Sequence, residues 1–170
     1  WFAVNERGRA VVLLNGAFVK HTKTGNYARS RGLVLLDIAS NPAPLGGLEG
    51  LDLNGIEPFT VVLAEAEMLL EMRWDGLEQH LRHLDPTLCH IWSSVTLYPP
   101  DVVAWREQLF ARFLADGSPD TDRIRQFHLN NYGDDTNGFR MNRPGEQQTF
   151  SVTQAVRENG VWQMAHLDLT

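Results

Sequence analysis

Cysteine is almost absent from this sequence, because Cys89 is the only one among 170 residues. A single cysteine cannot form an intramolecular disulfide. This excludes the disulfide-rich scaffolds of small secreted domains and leads us to expect a cytoplasmic protein. Cys89 precedes His90, a combination that could act as nucleophile and base. Adjacent side chains of a strand point to opposite faces, however, so we expect Cys89 to be a packing residue.

Long hydrophobic runs and an excess of positive charge are also missing. The longest apolar runs, such as Val11–Leu14 and Leu33–Leu36, are far shorter than the roughly 20 residues that a membrane-spanning helix needs. The formal net charge of -6 argues against a nucleic-acid partner. The proportions of hydrophobic and charged residues are those of a folded chain, and the length fits a single domain over residues 1–170. We expect a small-molecule substrate or ligand as the partner, with a homodimer left open.

Sequence signatures of several common chemistries are lacking. Gly46-Gly47 is not followed by the Lys-Ser/Thr of a nucleotide-binding loop, and no Gly-x-Ser-x-Gly nucleophile elbow occurs. His80 and His83 would share one face of a helix and could then bind a metal. They follow an Asp75-Gly76 turn in a predicted strand, where residues three apart face opposite sides. The sequence therefore predicts neither a metal nor a cofactor.

The first third of the chain predicts a hairpin followed by a helix. Residues 1–4 and 9–14 flank a polar turn over Asn5–Gly8, and the continuous apolar run of the second strand suggests burial on both faces. Ser30 is suited to cap a short buried helix that ends near Ser40. A second short helical or irregular stretch is expected before Gly55.

Strands and helices follow in blocks further along the chain. This order favours an α+β fold with mostly antiparallel sheets over a doubly wound α/β fold. The predicted elements are strands over 59–64, 68–74, 77–84 and 91–97, helices over 101–114 and 121–129, and a closing hairpin of 149–156 and 161–167.

Asn15 is the most informative candidate for chemistry. It stands where a buried strand opens into a loop, and an Asn at such a position can point its amide N–H into a cleft and stabilise a developing oxyanion. Asn15-Gly16 is also a common turn dipeptide. The residues alone leave both interpretations open.

Hydroxyl and guanidinium groups supply the other candidates. In the predicted strand over 91–97, alternation places Ser94 and Thr96 on one face, suited to a pocket floor or to a strand end that faces water. Arg31 and Arg143 lie in or beside polar loops, where each could hold a carboxylate bidentately or be an ordinary surface charge.

Several stretches carry a family resemblance in combination, although no single stretch is diagnostic. They are Trp1–Arg9, Leu13–Phe18, Ser30–Asp37, Glu57–Phe59, Arg73–Gly76, His90–Tyr98 and Met141–Arg143. Their order and spacing resemble the NRDE family, the group that includes the relatives of transport and Golgi organisation protein 2. The resemblance extends from one end of the chain to the other.

The resemblance implies an N-terminal-nucleophile hydrolase-like fold, a four-layer α/β/β/α sandwich. It also implies an N-terminal Cys nucleophile whose own α-amino group serves as the base. Neither that Cys nor the family's Asn-Arg-Asp-Glu motif occurs in this sequence. We therefore expect a fold truncated at the N-terminus, lacking roughly sixty upstream residues of a longer domain, and we expect this chain alone to be inactive.

The choloylglycine hydrolases and penicillin acylases offer a looser comparison. Their Asn-Glu-x-Gly-Leu segment and the strand that follows it are similar to Asn5–Arg9 and the strand ending at Asn15, which implies an oxyanion-hole role for Asn15. Their later active-site Asn and Pro fall at Ser94 and Thr96, and their late Arg falls near Arg143. The predicted site thus has Asn15 and Ser94 as catalytic residues, and Arg31, Thr96 and Arg143 as substrate-binding residues.

Two functions follow from this resemblance. The first is a C–N hydrolase that acts on a linear or acylated amide. The second is a non-catalytic protein on the same fold, with a role in secretion or in handling a haem-like or lipid ligand.

Overall fold

The computed structural model describes residues 1–22 and 25–169. Its contacts divide the chain into two compact units. The first comprises Trp1–Leu97 and Arg157–Trp162, while the second comprises Tyr98–Val156 and resumes at Gln163. The single domain over 1–170 stays a prediction.

The first unit is built on a five-stranded antiparallel sheet in which each strand pairs with the next one along the chain. Such a meander is the simplest topology for strands joined by short turns. The strands are β1 Phe2–Val4, β2 Arg9–Asn15, β3 Phe59–Glu65, β4 Met68–Trp74 and β5 Gln79–Leu84.

The turn between β1 and β2 explains why the first hairpin forms. The side-chain Oδ1 of Asn5 accepts hydrogen bonds from the backbone N–H groups of Arg7 and Arg9, both at 3.0 Å. Gly8 supplies a positive φ of 82°, which costs glycine little. The predicted hairpin is confirmed, and Val11 and Leu13 at the centre of β2 are buried.

The core of the first unit lies between the sheet and two helices, α1 Arg31–Ser40 and α2 Pro44–Glu49. The Ser30 hydroxyl accepts from the N–H of Leu33, as expected of an N-cap. Alternate residues of the central strands contribute to this core, and each fully buried apolar side chain stabilises the fold by about 1.5–3 kcal/mol. The largest fully buried apolar side chains of the strands and helices are Phe59, Ile38, Leu48, Leu63, Leu70 and Met72.

The strand predicted over 91–97 does not exist. This segment is irregular and ends in a turn, in which the N–H of Leu97 donates to the carbonyl of Ser94 at 3.0 Å. The hydroxyls of Ser94 and Thr96 bond to each other, and that of Ser94 also donates to the backbone carbonyl of Asn15. Such side-chain bonds compete with a strand ladder, which is why β-branched content misleads here.

The second unit begins with two helices, α3 Pro100–Ala115 and α4 Thr121–Leu129. Their predicted positions are confirmed, and Asp120 caps α4 by accepting from the N–H of Arg123 at 2.8 Å. Aromatic rings pack around the centre of α4, where the rings of Phe127 and Phe139 lie 4.4 Å apart. The Arg106 guanidinium stacks 3.8 Å from the centre of the Phe139 ring.

Two hairpins complete the chain. The short pair β6 Asn142–Arg143 and β7 Gln147–Gln148 is not predicted from the sequence, because two-residue strands carry no periodicity. The closing hairpin of β8 Ser151–Glu158 and β9 Val161–Asp168 is confirmed. Its turn residues Asn159 and Gly160 both have positive φ, as a tight hairpin requires.

The predicted fold class is confirmed at its coarser level, as an α+β protein whose sheets are mostly antiparallel. The finer expectation of a four-layer α/β/β/α sandwich stays a prediction. No helix within the described residues is long and apolar enough to cross a membrane.

Candidate functional site

Asn15 is the last residue of β2 and lies opposite Phe59 of β3. The register places it in one row with Phe59 and Trp74, on the sheet face that also carries Val11 and Leu13. Its Oδ1 is buried and has no hydrogen-bond partner among the described residues. Leaving a buried amide oxygen unpaired costs about 1–3 kcal/mol, so this atom is open to a hydrogen-bond donor from water or from a ligand.

The backbone that follows Asn15 is held by three side chains from different parts of the first unit. The carbonyl of Asn15 accepts from Ser94 Oγ at 2.7 Å, and that of Gly16 accepts from Thr60 Oγ1 at 2.9 Å. The carbonyl of Ala17 accepts from an Arg73 guanidinium N–H at 3.0 Å. Three consecutive carbonyls are thus fixed, and we call residues 15–17 the clamped turn.

Gly16 is the residue that permits this turn. Its φ is +82°, and an added Cβ would lie 2.6 Å from Val95 Cγ2 and 2.9 Å from Thr96 Cγ2. Both distances are shorter than carbon atoms tolerate. Only glycine therefore fits between the end of β2 and the 93–97 segment.

The structure brings Ser94 and Thr96 together, although not through a strand. Their hydroxyl oxygens are 2.9 Å apart. Ser94 has a single proton, and it donates that proton to the backbone carbonyl of Asn15. Thr96 must therefore be the donor in the pair, which leaves Ser94 suited to positioning the turn rather than to attacking a substrate.

Arg31 is linked to the same turn through the carbonyl of Pro58. That carbonyl accepts from an Arg31 guanidinium N–H at 3.0 Å and from the N–H of Gly16 at 2.9 Å. A second N–H of Arg31 pairs with Glu57 at 2.9 Å, and Glu57 also contacts His21 Nε2 at 2.9 Å. Burial lowers the pKa of Arg31 while the Glu57 carboxylate opposes this shift. The guanidinium is thus already engaged inside the protein.

Arg143 belongs to the second unit, where it lies in β6. Its Nε donates to the carbonyl of Thr136 at 3.0 Å, and its guanidinium lies 5.5 Å from the centre of the Tyr98 ring. These contacts place it in a local network of that unit. Its substrate-binding role stays a prediction.

Sequence reasoning missed the polar residues on the opposite sheet face. Glu71 of β4 is only 3% exposed and accepts from the Trp92 indole N–H at 2.7 Å and from Arg73 at 2.9 Å. Burial acts to raise the pKa of Glu71, but the hydrogen bonds from Arg73 and Trp92, together with the positive charges of Arg73 and Arg82, outweigh it and the pKa is lowered. Polar residues at alternate positions of an otherwise apolar strand were the available signal for this cluster.

The expectations for Cys89 and for the histidines meet different outcomes. Cys89 is exposed, so its interpretation as a packing residue is wrong, and the stretch around it is not a strand. His80 and His83 do lie in β5, and His80 Nε2 pairs with Asp75 at 2.8 Å. Within residues 1–22 and 25–169, no group of three or more His, Cys, Asp or Glu side chains could hold a metal ion.

The site thus consists of the Asn15 amide on the clamped turn, whose first carbonyl is hydrogen-bonded by Ser94, and of Thr96, which donates to Ser94. No protein-family model matches the chain, and no curated protein matches it. Membership of the NRDE family therefore stays a prediction, as do the roles assigned by that resemblance.

Proposed function

We propose that this chain forms the oxyanion-binding side of a C–N hydrolase site that acts on linear or acylated amides. The observation that carries the proposal is the Asn15 side chain, whose Oδ1 is buried without a partner at the start of the clamped turn. Because Oδ1 faces the interior, the Nδ2 amino group of Asn15 remains to donate a hydrogen bond to the substrate.

Rigidity of the turn supports this role. An oxyanion hole accelerates acyl transfer because its donors are in place before charge develops and need not reorganise. The side chains of Ser94, Thr60 and Arg73 donate hydrogen bonds to the three backbone carbonyls of the clamped turn, and these bonds fix the backbone at Asn15. We assign them positioning roles, with no contact to the reacting atoms.

The nucleophile in this proposal is an N-terminal Cys supplied by residues outside 1–170, as the NRDE resemblance implies. Its α-amino group takes the thiol proton, and the thiolate attacks the amide carbonyl carbon. The carbonyl oxygen becomes the oxyanion that Asn15 stabilises. The C–N bond then breaks, the amine leaves with the proton, and water hydrolyses the thioester to regenerate the thiol.

The test uses the natural full-length protein and a panel of linear and N-acylated amides. Replacing Asn15 by Ala should lower kcat about 100- to 1000-fold with little change in KM, because the lost donor acts mainly in the transition state. The exposed Asn26 provides the matched control, and Asn26→Ala should retain native rates. Native kcat in a folded Asn15→Ala variant would remove Asn15 from the mechanism.

A non-catalytic role is the second candidate, with a haem-like or lipid ligand or a part in secretion. The observation in its favour is that Ser94 and Thr96, the hydroxyls nearest the turn, already use their protons in internal hydrogen bonds. Saturable ligand binding by a full-length protein that hydrolyses no amide of the panel would support it against the hydrolase.

A further inference from the structure

The second unit contains a cavity of about 600 Å³ between the end of α4 and the β6–β7 hairpin. This volume lies within the range of small-molecule binding pockets, which is about 300–1,000 Å³. Polar side chains dominate its lining, among them Gln126, Asp135, Arg140, Asn142 and Gln148. All of these residues belong to the second unit.

Two opposite charges face this cavity without neutralising each other. The Arg140 guanidinium makes no ion pair or hydrogen bond within the described residues. The Asp135 Oδ1 accepts a hydrogen bond from Asn131 Nδ2, but no cation of the described chain pairs with that carboxylate. The cavity therefore offers a separate cation and a separate anion to a ligand.

The carboxamides add groups that both donate and accept hydrogen bonds. The side chains of Gln126, Asn142 and Gln148 have no internal hydrogen-bond partner in the part of the chain that the structure describes. A carboxamide is complementary to another amide or to a hydroxyl group, since each of these also donates and accepts.

We propose that this cavity binds a free α-amino acid with a polar side chain. Its carboxylate pairs with Arg140, which can grip it bidentately, and its ammonium group pairs with Asp135. A simple anion would bring like charge towards Asp135, and a simple cation would do so towards Arg140. A zwitterion satisfies both charges at once, and the carboxamides receive its polar side chain.

The experiment is an NMR titration of the ¹⁵N-labelled natural protein with L-glutamine. Glutaramate, which lacks the α-ammonium group, and 4-aminobutanamide, which lacks the α-carboxylate, are the matched analogues. L-glutamine should give saturable shifts at Gln126, Asn142 and Gln148, and each analogue should bind at least about tenfold more weakly, the ratio expected for one charge-assisted contact.

Arg140→Gln should weaken L-glutamine binding to a similar extent, and the guanidinium it replaces makes no hydrogen bond or ion pair within the described residues. Arg112→Gln, which makes the same charge change at an exposed position of α3 outside the cavity lining, should bind like the native protein. Equal binding of glutaramate and L-glutamine would overturn the zwitterion proposal, and so would the absence of saturable shifts. Asn15→Ala should not affect this binding, so the failure of either proposal is distinguishable from failure of the other.

Discussion

Gly16 shows how one residue sets the geometry of the clamped turn. Two costs combine at this position: a positive φ that side chains disfavour, and a close approach to Val95 and Thr96. Gly160 has nearly the same φ, +81°, but no atom lies within 4 Å of the place a Cβ would occupy. The two glycines therefore separate the conformational cost from the steric one.

We predict that Gly16→Ala lowers the free energy of unfolding by about 2–5 kcal/mol, the sum of the left-handed backbone cost and of overpacking. Gly160→Ala should lose only the backbone part, about 1–2 kcal/mol. Urea denaturation of both variants measures the difference. Equal losses would mean that the 93–97 segment moves aside without cost.

The elements of the first unit are tied together by a buried arginine. Arg9 of β2 is 1% exposed. Its Nη1 donates to the carbonyls of Ile38 and Asn41 at the end of α1, at 2.7 and 2.6 Å, and its Nε pairs with Glu65 of β3. A cation at a helix C-terminus is favourable because it meets the negative end of the helix dipole. Arg9 thus fixes the end of α1 against the sheet.

We predict that Arg9→Met destabilises the protein by about 3–5 kcal/mol, because it leaves carbonyls and one carboxylate of a buried network without their partner. Arg7→Met is the control, since Arg7 is exposed in the neighbouring turn. Chemical denaturation of both variants checks the prediction. A loss below about 1 kcal/mol for Arg9→Met would show that solvent replaces the guanidinium without penalty.

At the scale of elements, the sequence was sufficient to predict a hairpin or a helix wherever residues close together in the chain determine its backbone conformation. Asp75-Gly76 and the Asn159-Gly160 pair specify hairpins through their own backbone preferences, and α3 and α4 follow from helical spacing. The 91–97 segment was mispredicted because the Ser94 hydroxyl bonds to the carbonyl of Asn15, which is distant in sequence. No local pattern contains that partner.

For the whole molecule, carboxylates with lowered pKa values contribute to the loss of stability in acid. Hydrogen bonds from the N–H of Glu78, from His80 and from the N–H of Leu77 lower the pKa of Asp75 to about 2. The pKa values of Glu71 and Asp134 are lowered as well. A carboxylate with a lowered folded-state pKa stabilises the protein above its unfolded pKa, and this stabilisation is lost as the pH falls through the folded value.

We therefore predict that stability falls as the pH decreases from about 4 towards 2, the window set by Asp75. Asp75→Asn can still accept the turn hydrogen bonds but cannot titrate, so its unfolding free energy should fall less steeply across this window. Urea denaturation at several pH values compares the two slopes. Identical slopes would mean that Asp75 is not held in its ionised form by the fold.

The sequence by itself determined the α+β class, the hairpins other than β6–β7, and the helices α1, α3 and α4, because these depend on periodicity and on residues within a turn of one another. It also singled out Asn15, from its place at a strand end. Only the tertiary structure decided that Ser94 reaches the backbone of Asn15 rather than its amide, that Arg31 is neutralised by Glu57, and that polar groups surround a cavity in the second unit. These contacts join residues far apart in the chain, and side-chain hydrogen bonds of that kind are fixed by packing rather than by local preference.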